Sequence, residues 1–214
     1  MAQRTQADFL RDVASHTMSI VRDDGVYRHL IFQRPENSWL HRFEIVTWPS
    51  ALCIRGDVGT YVFSRTQDMF GFFRHPTKDD ELYINDGYWS EKLIASDCSG
   101  RHGDGVMRYD PDLFIDAVKR RYVGHVRDRM RGMPDERKSL RLALDEDVLF
   151  YANDSEIEAR RAADAFEHKG FTLTDFWETD LREYTTNFIW CLYAIAWSIR
   201  QYDQHHMKQN PEAA

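Results

Sequence analysis

Cys98 and His102 are the pair of residues whose types and spacing come closest to those of a metal site. They lie four positions apart, with Asp97 and Asp104 beside them, and thiolate, imidazole and carboxylate groups all bind zinc. A structural zinc site normally draws paired Cys or His ligands from two segments, and the chain has no C-x-x-C or H-x-x-x-H pair to supply the second half. We therefore predict an exposed loop at this position, with no bound metal and no other cofactor.

Sequence motifs of several enzyme families are absent. The chain contains neither G-x-S-x-G, which would present a nucleophilic serine, nor G-x-x-x-x-G-K-[ST], which would bind phosphate. Gly56-Asp57-Val58-Gly59 lies between two predicted strands and indicates a hairpin turn whose glycines adopt positive φ. The sequence therefore identifies no catalytic residues. An enzyme with its site in the loop from Asp97 to Gly105 stays an alternative to a non-enzymatic binding protein, which is the favoured hypothesis.

Basic residues are concentrated in one helical segment. Between Arg108 and Arg141, ten Lys or Arg face six Asp or Glu, a net charge of +4. Arg120, Arg127 and Arg131 fall within one sector of a helix, which is an arrangement able to bind phosphates. The competing interpretation is an ordinary surface in which these arginines pair with neighbouring aspartates. Nucleic-acid binding by the three arginines is therefore one of two opposed hypotheses.

Acidic residues dominate the segment that follows. Between Asp145 and Glu183, twelve Asp or Glu face four Lys or Arg, a net charge of −8. In a chain of net charge −7, such a face can bind a basic protein surface, including a channel built for nucleic acid. This is the favoured hypothesis. Its candidate partner-binding residues are Glu156, Glu158, Asp175, Glu178 and Asp180.

Composition predicts a globular protein with a real hydrophobic core. The chain has 214 residues, 43% of them hydrophobic. The longest nearly uncharged apolar stretch, Phe188–Ile199, is too short to span a membrane, and the charged N-terminus does not resemble a signal peptide. Three widely separated cysteines imply no disulfide framework, so we expect a cytoplasmic protein without membrane contact. The oligomeric state is not indicated.

Hydrophobic spacing predicts an α+β fold in which an N-terminal helix is followed by an antiparallel β-sheet meander and then by a C-terminal helical layer. The short connections between strands require antiparallel neighbours. We predict one domain over residues 1–214, with a sheet-rich part at 1–76, a loop-rich connector at 77–110 and a helical part at 111–205. The predicted strands, three to five in number, include 27–33, 40–48, 51–55 and 60–64, and the predicted helices are 7–17, 67–75, 88–96, 112–131, 134–151, 154–169 and 175–204.

Aromatic residues divide into a predicted core and a few candidate contacts. The last predicted helix is apolar all round, so we expect Trp190, Leu192, Tyr193 and Trp197 to be largely buried. Two aromatic pairs at loop edges are the plausible contact residues, namely Trp48-Pro49 and Tyr88-Trp89.

Four runs in the first third of the chain resemble a family of uncharacterised proteins encoded by tailed bacteriophages and prophages. They are RDDGVYRHL at 22–30, FEIVTWP at 43–49, CIRGDVGTYVF at 53–63 and DMFGFFR at 68–74. The resemblance covers roughly residues 8–75 and brings no catalytic residues with it. It implies an accessory protein that acts in the bacterial host cytoplasm, and such proteins often modulate the host or counter its defences.

These observations lead to a functional prediction. We expect a phage-encoded, non-enzymatic protein that binds and modulates a bacterial host protein or protein complex, plausibly as an inhibitor of a defence system. The alternatives are a nucleic-acid-binding protein of phage DNA metabolism and the enzyme with a site at 97–105.

Overall fold

The structure is a computed structural model that describes residues 4–36, 38–76, 81–97 and 105–209. The chain divides into two compact units, which we call the sheet unit (Met1–Val106 with Tyr184–Ala214) and the helical unit (Met107–Glu183). Each unit has its own hydrophobic core. The predicted α+β class, with its helix, antiparallel meander and C-terminal helices, is confirmed. The assignment of residues 1–214 to a single domain stays a prediction.

The sheet unit contains a six-stranded antiparallel sheet whose spatial order is the order of the chain. The predicted antiparallel pairing is confirmed, with Leu30 opposite Ile45 and Ile45 opposite Ile54. The sheet exceeds the predicted three to five strands, because the strands at its two edges were not predicted. The strands are β1 Thr17–Asp24, β2 Tyr27–Gln33, β3 Phe43–Trp48, β4 Ala51–Gly56, β5 Thr60–Ser64 and β6 Leu93–Ser96.

Along the sequence of the sheet unit, helices precede the first strand, lie between the last two strands of the sheet and follow the last one. Helices also make up most of the helical unit. In the sheet unit they are α1 Gln6–Asp12, α2 Met69–Phe73, α3 Asp86–Ser90 and α7 Thr186–Gln209; in the helical unit they are α4 Pro111–Arg129, α5 Pro134–Asp147 and α6 Glu156–Ala165. No helix among the described residues has both the length and the apolar character needed to cross a bilayer.

The core of the sheet unit lies between α7 and one face of the sheet. The Trp190 ring meets the Phe43 ring edge-on at 5.5 Å, and Phe188 stacks near Phe63 at 6.3 Å. Trp190 and Leu192 are fully buried as predicted, whereas Tyr193 and Trp197 are half-buried. The helix begins where the Thr185 hydroxyl accepts the Phe188 N–H at 3.2 Å, a typical N-terminal cap.

Two stretches of the chain meet inside the sheet unit. The Thr185 N–H donates to the carbonyl oxygen of Val106 at 2.8 Å, and the Thr185 hydroxyl donates to the carbonyl oxygen of Gly105 at 2.9 Å. The chain therefore leaves the sheet unit and returns to it at adjacent points.

The helical unit is built around a core that includes Phe114, Leu140, Leu144 and Phe176. A 3₁₀ turn at Leu149–Asn153 connects α5 to α6, a second 3₁₀ turn spans Phe176–Glu178, and the Tyr109 hydroxyl donates to the carbonyl oxygen of Ala152 at 2.9 Å. Short strands complete the architecture: β7 Met107–Tyr109 pairs with β10 Arg182–Tyr184, and β8 Glu167–His168 forms a hairpin with β9 Phe171–Thr172.

Several predicted helix boundaries are wrong. The first helix ends at Asp12 rather than near Thr17, because β1 begins there. The predicted helix at 88–96 is α3 followed by β6, and the helix predicted at 134–151 ends at Asp147 and is followed by a 3₁₀ turn from Leu149. Residues 175–185 form a 3₁₀ turn and β10, not the start of the last helix.

Two glycine assignments also need correction. Gly170, which directly follows the helix predicted at 154–169 and would be its C-terminal cap, lies with Lys169 at positive φ in the β8–β9 turn, which is the backbone geometry of a two-residue hairpin. The predicted hairpin turn at 56–59 is confirmed, but neither of its glycines has positive φ. Gly56 is needed for close packing instead, since a Cβ there would lie 2.2 Å from the carbonyl oxygen of Arg42.

Candidate partner-binding surface

An exposed tryptophan occupies the turn at residues 175–180 of the helical unit, which we call the Trp177 turn. Trp177 is 66% exposed, while its neighbour Phe176 is fully buried and meets the Phe114 ring edge-on at 5.3 Å. Asp175 begins the turn in the left-handed conformation, with φ at 54°. Phe176 thus anchors the turn in the core, and Trp177 projects into solvent.

Arg160 of α6 holds the Trp177 turn through its backbone. Its guanidinium donates to the carbonyl oxygens of Phe176 at 3.4 Å, Trp177 at 3.2 Å and Thr179 at 3.0 Å. The same side chain pairs with Glu156 one helical turn away at 3.0 Å. Hydrogen bonds from a charged donor are stronger than neutral ones, so Arg160 restrains the turn.

Arg121 of α4 supports the turn from a second helix. It donates to the hydroxyl of Thr179 at 3.1 Å and to the carbonyl oxygen of Asp175 at 3.4 Å. Its guanidinium also lies 4.6 Å from the centre of the Phe176 ring, within cation–π range. Two arginines from different helices therefore fix the backbone from which Trp177 projects.

Three of the five predicted acidic residues lie within three positions of Trp177 in the sequence, and all three are exposed: Asp175, Glu178 and Asp180. Asp180 accepts the backbone N–H of Arg182 at 3.1 Å. These carboxylates give the rim of the Trp177 turn a negative charge.

The other two predicted acidic residues are already paired. Glu156 accepts from Arg182 at 2.8 Å as well as from Arg160. Burial raises the pKa of Glu156, but the two arginines outweigh it and hold that pKa below its ordinary value. Glu158 lies two positions further along α6, pairs with Arg161 at 3.2 Å and lines a different groove with Tyr151. The structure thus leaves Glu156 neutralised and separates Glu158 from the rest.

The predicted basic face is only partly assembled. Arg120 and Arg127 are exposed on α4, seven residues apart and thus on one side of the helix. Arg131 was predicted in the same helical sector, but α4 ends at Arg129, so that prediction is wrong. Arg127 also pairs with Asp128 at 2.8 Å. Nucleic-acid binding by these arginines stays a prediction.

The predicted loop chemistry falls largely outside the described residues. Cys98, His102 and Asp104 belong to the undescribed segment 98–104, which also contains most of the alternative enzyme site. Within the described ranges, no three His, Cys, Asp or Glu side chains form a group that could hold a metal ion.

Exposed aromatic residues were only partly foreseen. Trp48 and Tyr88 are 39% and 42% exposed, but Trp89 is buried against Phe73. Trp177 was missed because the sequence around it was assigned to the core helix. The local signal was its run of polar neighbours, Thr174-Asp175 before and Glu178-Thr179-Asp180 after, which is unlike a core helix.

Comparison with known proteins adds no functional assignment. No protein-family model, no curated protein and no solved structure matches this chain.

Proposed function

We propose that this chain is a non-enzymatic protein that binds another protein through the Trp177 turn. The observation that carries the proposal is the 66% exposure of Trp177 on a backbone held by Arg160 and Arg121. Tryptophan is enriched among the residues that contribute most to protein interfaces. A side chain presented on a restrained backbone loses less entropy on binding than one on a mobile loop.

The rim of the turn specifies the chemistry of the partner. Exposed Asp175, Glu178 and Asp180 favour a partner with an apolar pocket for the indole and Lys or Arg around it. The resemblance to phage proteins supports a bacterial host protein as that partner, and a host defence complex is the kind of target that such proteins counter. Binding would inhibit the target by occupying its basic surface.

The test uses a partner captured from a bacterial host lysate, identified and then purified for affinity measurements. Replacing Trp177 with Ala should weaken binding by about 30-fold or more, which corresponds to about 2 kcal/mol for a central interface residue. Phe150→Ala is the matched control, because Phe150 is 71% exposed on the same unit but lies outside the turn. Equal affinity of W177A and the parent, or a loss confined to F150A, would reject the Trp177 turn as the interface.

Charge reversal tests the nature of the partner separately. The double change Asp175→Lys with Glu178→Lys should slow association and reduce its dependence on salt, because rim charges act mainly on the association rate. A different result would support the nucleic-acid alternative. In that case the triple change of Arg120, Arg127 and Arg131 to Ala abolishes inhibition of the target, and the parent binds duplex DNA in a salt-sensitive way.

A further inference from the structure

The sheet of the sheet unit has a second face, turned away from α7, which we call the outer sheet face. Side chains alternate along a strand, so β2 directs Leu30 and Phe32 into the core and His29 and Ile31 to the other side. The same alternation in the neighbouring strands places Glu44, Val46, Cys53, Arg55 and Val62 on the outer sheet face.

Two aromatic side chains share a groove at one end of this face. Tyr27 and Trp48 lie on adjacent strands, next to the paired residues Arg28 and Thr47, and are 42% and 39% exposed. With His29 and Val46 they line an open groove of about 640 Å³. A third exposed aromatic residue lies at the other end of β2, where the ring of Trp39, 65% exposed, lies 4.8 Å from the guanidinium of Arg42.

Arginines accompany the aromatic residues. The guanidinium of Arg22 lies 4.9 Å from the centre of the Tyr27 ring, and Arg55 is exposed near the end of β4. Arg42 binds two side chains of the face, Gln33 at 3.2 Å and Glu44 at 2.8 Å. The outer sheet face therefore carries three arginines: Arg22 and Arg42 lie against its aromatic ends, and Arg55 lies on β4.

The carboxylate of Glu44 on this face is neutralised. Glu44 accepts from His29 at 2.9 Å and from Arg42, and it lies directly opposite Arg55 in the sheet. Burial raises the pKa of Glu44, but its bonds to His29 and Arg42 outweigh burial and keep it ionised. The negative charge of Glu44 is thus balanced by the neighbouring cations and does not repel an anionic ligand. Asp24, at the rim, pairs with Arg22 at 3.0 Å.

We infer that the outer sheet face binds single-stranded nucleic acid. Bases would stack on Tyr27 and Trp48 at one end and on Trp39 at the other, while Arg22 and Arg55 contact the phosphates. Single-strand-binding proteins combine these two elements, aromatic side chains that stack on bases and cations that follow the backbone. From Tyr27 to Gln33 the strand spans roughly 20 Å, enough for several nucleotides.

The separation of the aromatic residues favours this ligand over a second protein. Protein interfaces cluster their energetically dominant residues near the centre, whereas Tyr27 and Trp48 lie at one end of β2 and Trp39 at the other. A duplex is disfavoured because its bases are already stacked on each other and cannot reach the aromatic rings. The net charge of −7 opposes long-range attraction, so we expect modest affinity, with Kd about 10⁻⁴ to 10⁻⁶ M.

The experiment measures the fluorescence anisotropy of labelled oligothymidine and oligouridine of about 12 nucleotides, a length within known site sizes. The parent should bind at least one of them, and the logarithm of affinity should fall with the logarithm of salt at a slope of about −1.4 for the two phosphate contacts. Trp48→Ala and Tyr27→Ala should each weaken binding by about 5- to 150-fold. Arg55→Ala should reduce the slope by about 0.7.

Controls make the inference falsifiable even if one variant unfolds. Arg55 is exposed, so R55A tests the face without touching the core, and thermal unfolding checks each variant. W177A should keep full oligonucleotide affinity, which separates this inference from the proposed protein interface. The inference is overturned by any of three results: no salt-sensitive binding up to about 10⁻⁴ M, stronger binding of a duplex that depends on Arg120 and Arg127, or a self-association that W48A abolishes.

Discussion

The indole N–H of Trp190 donates a hydrogen bond to Oδ2 of Asp12 at 3.0 Å, joining the last helix of the sheet unit to the first. Trp190 is only 1% exposed, so its indole N–H depends on Asp12 as its hydrogen-bond acceptor. Asp12 also pairs with Arg4 and thereby links the start of the described chain to the same point. A polar bond at the edge of an aromatic core thus sets where α1 lies against α7.

Replacing Asp12 with Ala should destabilise the protein by about 1–3 kcal/mol, because it leaves a buried N–H without a partner. Urea unfolding of a double-mutant cycle isolates the bond from the Arg4 pair: Asp12→Ala should cost less in a Trp190→Phe background, where no indole N–H remains. Additive free energies in that cycle would mean that the hydrogen bond contributes nothing.

His16 should make the protein less stable in mildly acid solution. Burial lowers the pKa of His16 below 6.5; the bond from its Nε2 to the carbonyl oxygen of His41 opposes this, while the charges of Arg34 and His41 add to the lowering. The unfolded chain therefore takes up the proton first. The contribution of neutral His16 to the free energy of unfolding is complete above pH 6.5. It is lost as the pH falls through 6.5 towards the pKa of His16 in the folded protein.

The measurement compares thermal unfolding at about pH 7.5 and about pH 5.5, on either side of the unfolded pKa of histidine. His16→Gln keeps a donor for the His41 carbonyl but cannot titrate, so its melting temperature should fall less between the two pH values. An identical fall in parent and variant would assign the acid sensitivity to other groups.

Replacing Arg160 with Met should loosen the Trp177 turn while leaving the fold intact. Three backbone carbonyl oxygens lose a charged donor, each such bond being worth about 1.5–3 kcal/mol. Hydrogen exchange at the N–H groups of Glu178 and Thr179, which close the 3₁₀ turn, should accelerate by about tenfold or more. Arg161→Met is the control, since Arg161 is exposed and pairs only with Glu158 among the described residues. Equal acceleration in both variants would contradict the role given to Arg160.

Alanine at two glycines should change stability in opposite directions. At Gly56 a Cβ would lie 2.2 Å from the carbonyl oxygen of Arg42 and 2.7 Å from Cα of Phe43, and this clash with backbone should cost at least about 1–3 kcal/mol. At Gly71, inside α2, nothing lies within 4 Å of the new Cβ, so Ala should stabilise by about 0.5–1 kcal/mol through helix propensity. Chemical denaturation measures both. A tolerated Gly56→Ala would show that the neighbouring strand is free to move.

Strands β2 to β5 were predictable because buried and more exposed side chains alternate along them. This alternation gives the hydrophobicity of the sequence a period of two, as at Leu30 and Phe32. The edge strands β1 and β6 were missed since each has a neighbour on one side only, and most of their side chains are exposed. Edge strands carry little of the alternation that marks a central strand. Their existence depends on pairing with β2 and β5, which local sequence does not encode.

The Trp177 turn was missed for a different reason. Trp177, Leu181, Tyr184 and Phe188 recur at intervals of three or four residues, the spacing of a core helix, so the pattern was assigned to the last helix. The actual conformation depends on Arg121, which is 54 residues away from the Asp175 carbonyl that it binds. The acidic residues were identified from charge alone, but their division into exposed and neutralised groups depends on partners such as Arg182 that only the fold reveals.

Because the sheet unit consists of two stretches separated by Met107–Glu183, its assembly during protein synthesis is delayed. The ribosome completes the strands long before α7 emerges, so the part of the apolar face that packs on α7, including Phe32 and Phe43, lacks that cover in the meantime. At about 5–20 residues per second, translation of the intervening segment alone takes roughly 4–15 s. The helical unit is continuous in sequence and has no such delay. We therefore expect the yield of soluble protein to depend on chaperones that shield the nascent sheet, and to respond more to translation speed than to the stability of the finished fold.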